Sequence, residues 1–403
     1  MENTYTGVRQ SGEKGEGESL MFINIVHISD LQAGKTCLAE LKIDGSEGVA
    51  FDDRYRHYAN VLAEDVQKSL ARLPPLGSDI HMLAITGDIA NEAQLNEYTH
   101  AKCFVEQMVG SLDVDWNAVA IVPGNHDVDW EMLKKKWGES PPRKAADIVE
   151  CAAIDAKMSN FKKWYNGLHS KRSNYKYVFG RPLEFLTEHL AVVGLDSCER
   201  STHNKAKNQG FVGQPQLKSA TEFLNKYGKK KVKIAIIHHN PFVSDDENSR
   251  PALYKPSRVK GALGATGCAV ILGGHMHRPM FKIDQTYTRS SKKLCHTLIA
   301  GPCCMSHEYR KLDLGGYSEP LPNRYQILSI NPISNLLVVQ LRRFSFERLT
   351  PSGIPGDWTE DHDLEYARAK GIFQCQLDPN SDKAKQEWQS RFKGFPRGFP
   401  VDI

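Results

Sequence analysis

Phe22-Ile23-Asn24-Ile25-Val26-His27-Ile28-Ser29-Asp30-Leu31-Gln32-Ala33-Gly34 is the stretch that decides the fold. Residues 22–28 are a short, nearly continuous apolar run, and residues 29–34 are a polar turn closing on glycine. A run apolar on successive residues is a strand buried on both faces, as in the sheets of α/β proteins. The unit then repeats. Residues 55–73 carry Val61, Leu62, Val66 and Leu70 at helical spacing, and Pro74-Pro75 ends them. Residues 80–86 are the next strand, broken by Gly87-Asp88; residues 93–112 read as a helix; residues 118–122 are a third strand, closed by Pro123-Gly124. Further apolar runs stand at 190–195, 233–237, 268–272, 298–300, 325–330 and 336–343. Apolar strands alternating with helices indicate an α/β fold.

The remainder of the chain sets limits on the function. In 403 residues, 40% are hydrophobic and 25% charged, a globular composition and not a disordered or fibrous one. No apolar run is long enough for a membrane span, and the start Met1-Glu2-Asn3 lacks a basic-then-apolar signal, so neither a membrane partner nor secretion is expected. Lys and Arg total 52 against 48 Asp and Glu, a net +4, too mild to indicate nucleic acid by charge alone. Nine scattered cysteines, with Cys303 and Cys304 adjacent, form no disulfide framework, and a cytoplasmic location is expected. Residues 1–20 read as a disordered tail, 21–345 as one domain, and 346–403 as a C-terminal extension packed on it. Residues 129–180, with Trp130, Trp137, Trp164, Tyr165, Tyr175 and Tyr177, interrupt the rhythm as a helical insertion, either a surface helical pair or a cap over a site.

Polar clusters stand where strands end: Asp30 and Gln32, then Asp88, then Asn125-His126-Asp127, then His238-His239-Asn240-Pro241, then Gly274-His275-Met276-His277. In an α/β sheet the carboxyl ends of neighbouring strands form one rim, where ligands bind. Two Asp, an Asn, a Gln and several His exceed the four donors of a single zinc site. They suit two metals about 3.5–4 Å apart, which would attract and stabilise a phosphate. Glycines before Asp88, Asn125 and His275 allow close backbone approach. Of the two histidines in tandem, one is expected to face the site and the other to pack or support it, because neighbours on a strand point to opposite faces. His27 is expected to be buried and hydrogen-bonded, and Cys198 to be a small packed residue. Arg200, His203, Lys205 and Asn91 stand in polar loops or turns, where solvated charge or turn chemistry competes with a phosphate-binding role.

His27-Ile28-Ser29-Asp30, Gly87-Asp88, Gly124-Asn125-His126-Asp127, His238-His239-Asn240-Pro241 and Gly273-Gly274-His275-Met276-His277, in this order, resemble the motifs of the calcineurin-like metallophosphoesterases over roughly residues 21–335. The resemblance implies a four-layer α/β/β/α sandwich of two mixed sheets. It implies Asp30, Gln32 and His277 on a first metal, Asn125, His238 and His275 on a second, and Asp88 bridging both. His126 would protonate the leaving oxygen or hold the phosphate, Asp127 would orient His126, and Asn91 and His239 are candidate substrate contacts. The nucleophile would be a hydroxide shared by the two metals. The family's first motif usually reads D-x-H, and Gln32 replaces that His, as in a branch that cleaves ADP-ribose and CDP-alcohols. A neutral oxygen donor favours manganese or magnesium over zinc, so two divalent ions are expected, manganese first, with magnesium, ferrous iron or zinc as alternatives. The opening and His238-His239 motifs look like the cyclic-nucleotide and glycerophosphodiester phosphodiesterases. The expected substrate is a small nucleotide-like phosphodiester or pyrophosphate. A DNA or RNA nuclease, served by the basic segment 134–181, and a catalytically weak binding scaffold are the rival readings.

Overall fold

The computed structural model describes residues 22–34, 51–138, 155–170, 175–201, 209–228, 231–241, 253–275, 277, 281–288, 293–300, 309–311, 318–320, 323–334, 336–349, 355–360 and 372–376. The tail 1–20, His203, Lys205, Met276, Cys303, Cys304 and the parts of the insertion at 139–154 and 171–174 lie outside them. In chain order the elements are β1 (Ile23–Ile28), α1 (Phe51–Ala71), β2 (Ile80–Thr86), α2 (Leu95–Ser111), β3 (Val119–Val122), α3 (Trp130–Trp137), α4 (Ser159–Leu168), β4 (Leu183–Leu186) and β5 (Leu190–Leu195). There follow α5 (Gln214–Lys226), β6 (Val232–His239), α6 (Pro256–Ala265), β7 (Val270–Gly274), β8 (Phe281–Thr288), β9 (Lys293–Ala300), β10 (Tyr309–Lys311), β11 (Ser318–Pro320), β12 (Arg324–Asn331), β13 (Leu336–Leu349), β14 (Pro355–Glu360) and β15 (Ile372–Gln376).

Two mixed sheets carry the fold. The first has the order β14-β13-β12-β1-β2-β3, with β15 also on β13; the second has the order β4-β5-β6-β7-β9-β8. In the first, β1, β2 and β3 run parallel and β12 joins β1 antiparallel. In the second, β5, β6, β7 and β9 run parallel, with antiparallel edges at β4 and β8. Strand periodicity divides the second sheet between two cores. Leu190, Val192, Ile234, Ile236, Val270 and Leu272 pack toward the first sheet. Ala191, Val193, Leu195, Ala235, Ile237 and Ile271 pack instead with Leu217 and Leu224 of α5 and Val259 and Leu263 of α6. The alternation is the two-residue repeat of a pleated strand. Helices α1 and α2 cover the other face of the first sheet, so the layers are helix, sheet, sheet, helix. A buried ion pair fastens α1: Arg342 of β13 donates to both Asp65 oxygens at 2.8 and 2.6 Å, and the Tyr325 hydroxyl donates to the same carboxylate.

Helix ends follow local chemistry. The Glu97 carboxylate accepts from the Gln94 and Glu92 N–H groups at the start of α2, both at 2.9 Å, and Asp129 accepts from Met132 N–H at the start of α3. The break placed at 345/346 falls inside β13, and residues beyond it supply β14 and β15 to the first sheet. The described residues of the insertion include a non-helical stretch at 175–180 and two helices, α3 and α4. Their apolar sides are buried through Trp130, Leu133, Phe161, Trp164 and Tyr165. Strands β4, β8, β10, β11, β14 and β15 and helices α5 and α6 were not among the elements expected from the sequence. Among the described residues no helix is long and apolar enough to cross a membrane.

Candidate metal centre

All the motif loops open at one rim, at the carboxyl ends of β1, β2, β3, β6 and β7. The loops after β1 and β2 continue the parallel pairing beyond the strands. Asp30 N–H donates to Gly87 O at 3.0 Å, Gln32 N–H to Asp88 O at 2.7 Å and Ala33 N–H to Ile89 O at 2.8 Å. Asp30, Gln32, Asp88, His275 and His277 have φ of 54°, 42°, 52°, 74° and 52°. Left-handed backbone at a non-glycine residue costs roughly 1–3 kcal/mol and persists only where the surroundings enforce it. Five of the eight non-glycine residues with positive φ among the described residues gather at this rim, which marks it as a strained part of the fold.

The side chains meet across the two sheets. His275 N–H donates to both Asp30 carboxylate oxygens at 3.2 Å, and His277 Nε2 lies 3.0 Å from Asp30 Oδ1. His238 Nε2 stands 3.0 Å from Asn125 Oδ1 and 3.3 Å from Asp88 Oδ2, while its Nδ1–H donates to Thr86 O at 2.8 Å. Close approach requires glycine at two positions. A Cβ at Gly124 would lie 2.1 Å from Asp88 Oδ1, and one at Gly274 would lie 2.2 Å from Ser29 Oγ. Asp30, Asp88, Asn125, His238, His275 and His277 are thus brought together and buried, and Gln32 is buried beside them.

These donors fit divalent cations. Donor atoms of Asp30, Asp88 and His277 lie within 4.8 Å of one another, and so do those of His238, His239 and His275. His275 Nε2 is buried and has no hydrogen-bond partner among the described residues. Burial, with the neighbouring His239 and His238, pushes His275 well below the usual histidine range, so it offers a neutral ring. Burial opposes charge at the facing pair too, but there the pair interaction wins. Asp88 raises His238 to about 9, and His238 and His126 hold Asp88 well below the carboxylate range.

Two expectations are corrected. Asp127 does not touch His126. Its carboxylate accepts from the Gly124, Ile89 and Ala90 N–H groups at 2.8, 3.1 and 3.0 Å and from the Tyr98 hydroxyl at 3.0 Å. Those four bonds use its acceptor capacity and clamp the β2 and β3 loops together. Burial and the charge of Asp88 raise its pKa to about 7. The group that orients His126 is Asn91, through its backbone carbonyl, which accepts from Nδ1–H at 2.7 Å. His238 and His239 do not divide between site and core, since both reach the cluster with ring centroids 5.0 Å apart. His126 is half-buried, its N–H donates to Asp88 Oδ1 at 2.8 Å, and its ring lies 5.1 Å from that of Trp130, so α3 abuts the rim.

Other readings hold. His27 is buried between Thr86 Oγ1 at 2.8 Å and Gln326 Nε2 at 2.5 Å, and Cys198 is buried. The Arg200 guanidinium lies 3.7 Å over the Phe211 ring. Two residues escaped the sequence reading. Tyr98, at helical spacing, resembles any core aromatic. Ser197, whose Oγ lies 2.8 Å from His239 Nδ1, carried the same signal as the other site residues, a polar side chain just past a strand end.

The profile of the calcineurin-like phosphoesterase family matches residues 23–279. An uncharacterized metallophosphoesterase-like protein of Bacillus subtilis is 23% identical over 239 residues, 57% of this chain and 48% of that protein. The chain therefore spans about half the length of this curated relative. A dimetal phosphatase from Danio rerio aligns over 80% of this chain and 96% of its own, at 13% identity and a TM-score of 0.43. The phosphopantetheinyl hydrolase of Mycobacterium tuberculosis aligns over 70% and 88%, at 11% identity and a TM-score of 0.29. With the family profile spanning most of the chain and its motif residues gathered at one rim, this protein belongs to the calcineurin-like phosphoesterase family.

Proposed function

We propose that this chain hydrolyses a phosphodiester or pyrophosphate bond of a small nucleotide-like substrate, using two divalent cations with manganese foremost. The observation that carries the reading is the pair of donor groups, Asp30-Asp88-His277 and His238-His239-His275, gathered at one buried rim. Asp30, Gln32 and His277 would hold one cation, Asn125, His238 and His275 the other, and Asp88 both. When bound, the cations supply Lewis acidity toward phosphate oxygens and lower the pKa of water.

The chain's own residues supply the rest. A carbonyl only accepts, so the bond to Asn91 O requires the proton on His126 Nδ1. His126 Nε2 is then the nitrogen that exchanges a proton, and it delivers one to the departing oxygen. Asp127 acts on geometry, holding the loops that present Asp88 and Asn125.

An aromatic and cationic group supports a nucleotide-like substrate. Phe211 follows Gly210, which packs against His239, and its ring is flanked by Arg200 at 3.7 Å, Arg258 at 5.7 Å and Tyr254 at 6.0 Å. A planar base and its phosphates suit such a surface. The buried thiols of Cys103 and Cys198 agree with the reducing cytoplasm proposed as its location.

The test is a manganese-supplemented screen of bis-p-nitrophenyl phosphate, cyclic nucleotides, nucleotide diphosphates and single-stranded DNA. Chelator-sensitive turnover of the nucleotide diesters or diphosphates is expected. Preferential cleavage of DNA would favour the nuclease, and metal binding without turnover of any substrate would favour the scaffold.

A further inference from the structure

We infer that His239 is a third imidazole ligand in the nitrogen-rich half of the site, held in position by Ser197; this rests on the metal-centre reading above. On a regular strand His238 and His239 would face opposite sides. Here β6 pairs with β7 through Ile236↔Leu272 and then His239↔Gly274, so β6 carries one extra residue between those pairs. A bulge of this kind re-aims the side chains that follow it. The His239 ring centroid accordingly lies 4.5 Å from that of His275 and 5.0 Å from that of His238. His238 and His275 are themselves 5.2 Å apart. One ring nitrogen from each falls within 4.8 Å of the other two, and all three side chains are buried.

Ser197 fixes the ring. Its Oγ accepts the His239 backbone N–H at 3.2 Å and lies 2.8 Å from His239 Nδ1. A hydroxyl oxygen has two acceptor positions, so in the metal-binding tautomer it also takes a proton donated by Nδ1. Nε2 then keeps its lone pair, the form that binds a metal. The ring has little room to turn away, since a Cβ at Gly210 would lie 2.3 Å from both Cβ and Cγ of His239. Ser197 is anchored in turn, its carbonyl accepting from Phe211 N–H at 2.8 Å.

The two halves of the site then differ in chemistry. His238, His239 and His275 give a set of imidazole nitrogens, while Asp30, Asp88 and His277 give mainly carboxylate oxygen. Imidazoles suit zinc or ferrous iron, and carboxylates suit manganese or magnesium. The protein should take zinc in one half and manganese in the other.

The test loads the full chain with zinc and then manganese. It reads bound metal and chelator competition, not turnover, in wild type and in His238→Gln, His239→Gln and Ser197→Ala. His239→Gln is expected to weaken zinc at least about 100-fold with manganese retained, and Ser197→Ala to weaken zinc about 10-fold, in the range for loss of a supporting hydrogen bond. If His238→Gln loses zinc while His239→Gln binds both ions as wild type does, the inference falls and the metal centre stands. If neither variant changes either ion, the metal-centre reading falls as well. Should His239→Gln fail to fold, cadmium-loaded wild type labelled at the histidine ring nitrogens decides the matter. Scalar coupling between cadmium and His239 Nε2 supports ligation, and its absence alongside coupling at His238 overturns it.

Discussion

In the proposed reaction His126 and Gln32 have distinct roles, and each makes a separate prediction. His126 touches Asp88 through its backbone N–H, which an alanine retains, and touches Asn91 through its ring, which an alanine loses. His126→Ala should therefore cut turnover by about 10²–10⁴-fold. Metal content measured by atomic emission should stay at the wild-type level; loss of metal in parallel would make His126 a ligand. Gln32 is strained at φ 42° and buried where the family usually has histidine. Its amide stays neutral and offers one oxygen, a weak and hard donor. Added manganese should raise the activity of purified protein, and Gln32→His should tighten that ion and shift preference toward zinc. A Gln32→Ala variant with wild-type manganese dependence would remove Gln32 from the site.

Between elements, the hinge of the site is a contact that no motif announces. Tyr98 lies on α2 and donates to Asp127, which in turn gathers the amides of the loops after β2 and β3. Tyr98→Phe keeps the ring and removes only the hydroxyl. Leaving a buried carboxylate one donor short should cost roughly 1–3 kcal/mol, read as a lower midpoint in urea unfolding. Manganese affinity should fall with it, because the Asp88 and Asn125 loops loosen. Unchanged stability and affinity would show that the three amides suffice. Most of these elements were legible in sequence. The runs at 80–86 and 190–195 coincide with β2 and β5, since a buried parallel strand is a continuous apolar run. Strands β14 and β15 were not, because an edge strand is defined by its partner, here β13, and carries little period of its own.

Across the whole molecule, His27 joins the three central strands of the first sheet, from β1 to Thr86 of β2 and Gln326 of β12. Burial, opposed by the charge of Asp30, lowers its pKa from 6.5 to about 3, so the fold holds it neutral. The unfolded chain then binds the extra proton between those values, and stability present above pH 6.5 is lost as pH falls toward about 3. The full effect is on the order of 5 kcal/mol. His27→Gln should move the acid-unfolding midpoint, followed by circular dichroism, to lower pH; an unmoved midpoint would place the acid-sensitive group elsewhere. The sequence by itself determined the α/β class, the order of the donor loops and the residue types at each strand end. Those are local properties, set by apolar period and by the residues that can follow a strand. Only the tertiary structure decided which donors meet, since His238 reaches Thr86 across 152 residues and His275 reaches Asp30 across 245. It also decided that Asp127 clamps loops instead of steering His126, and that a bulge in β6 turns His239 to the site. Contacts of that range depend on how two sheets stack and register, and no window of neighbouring residues contains that information.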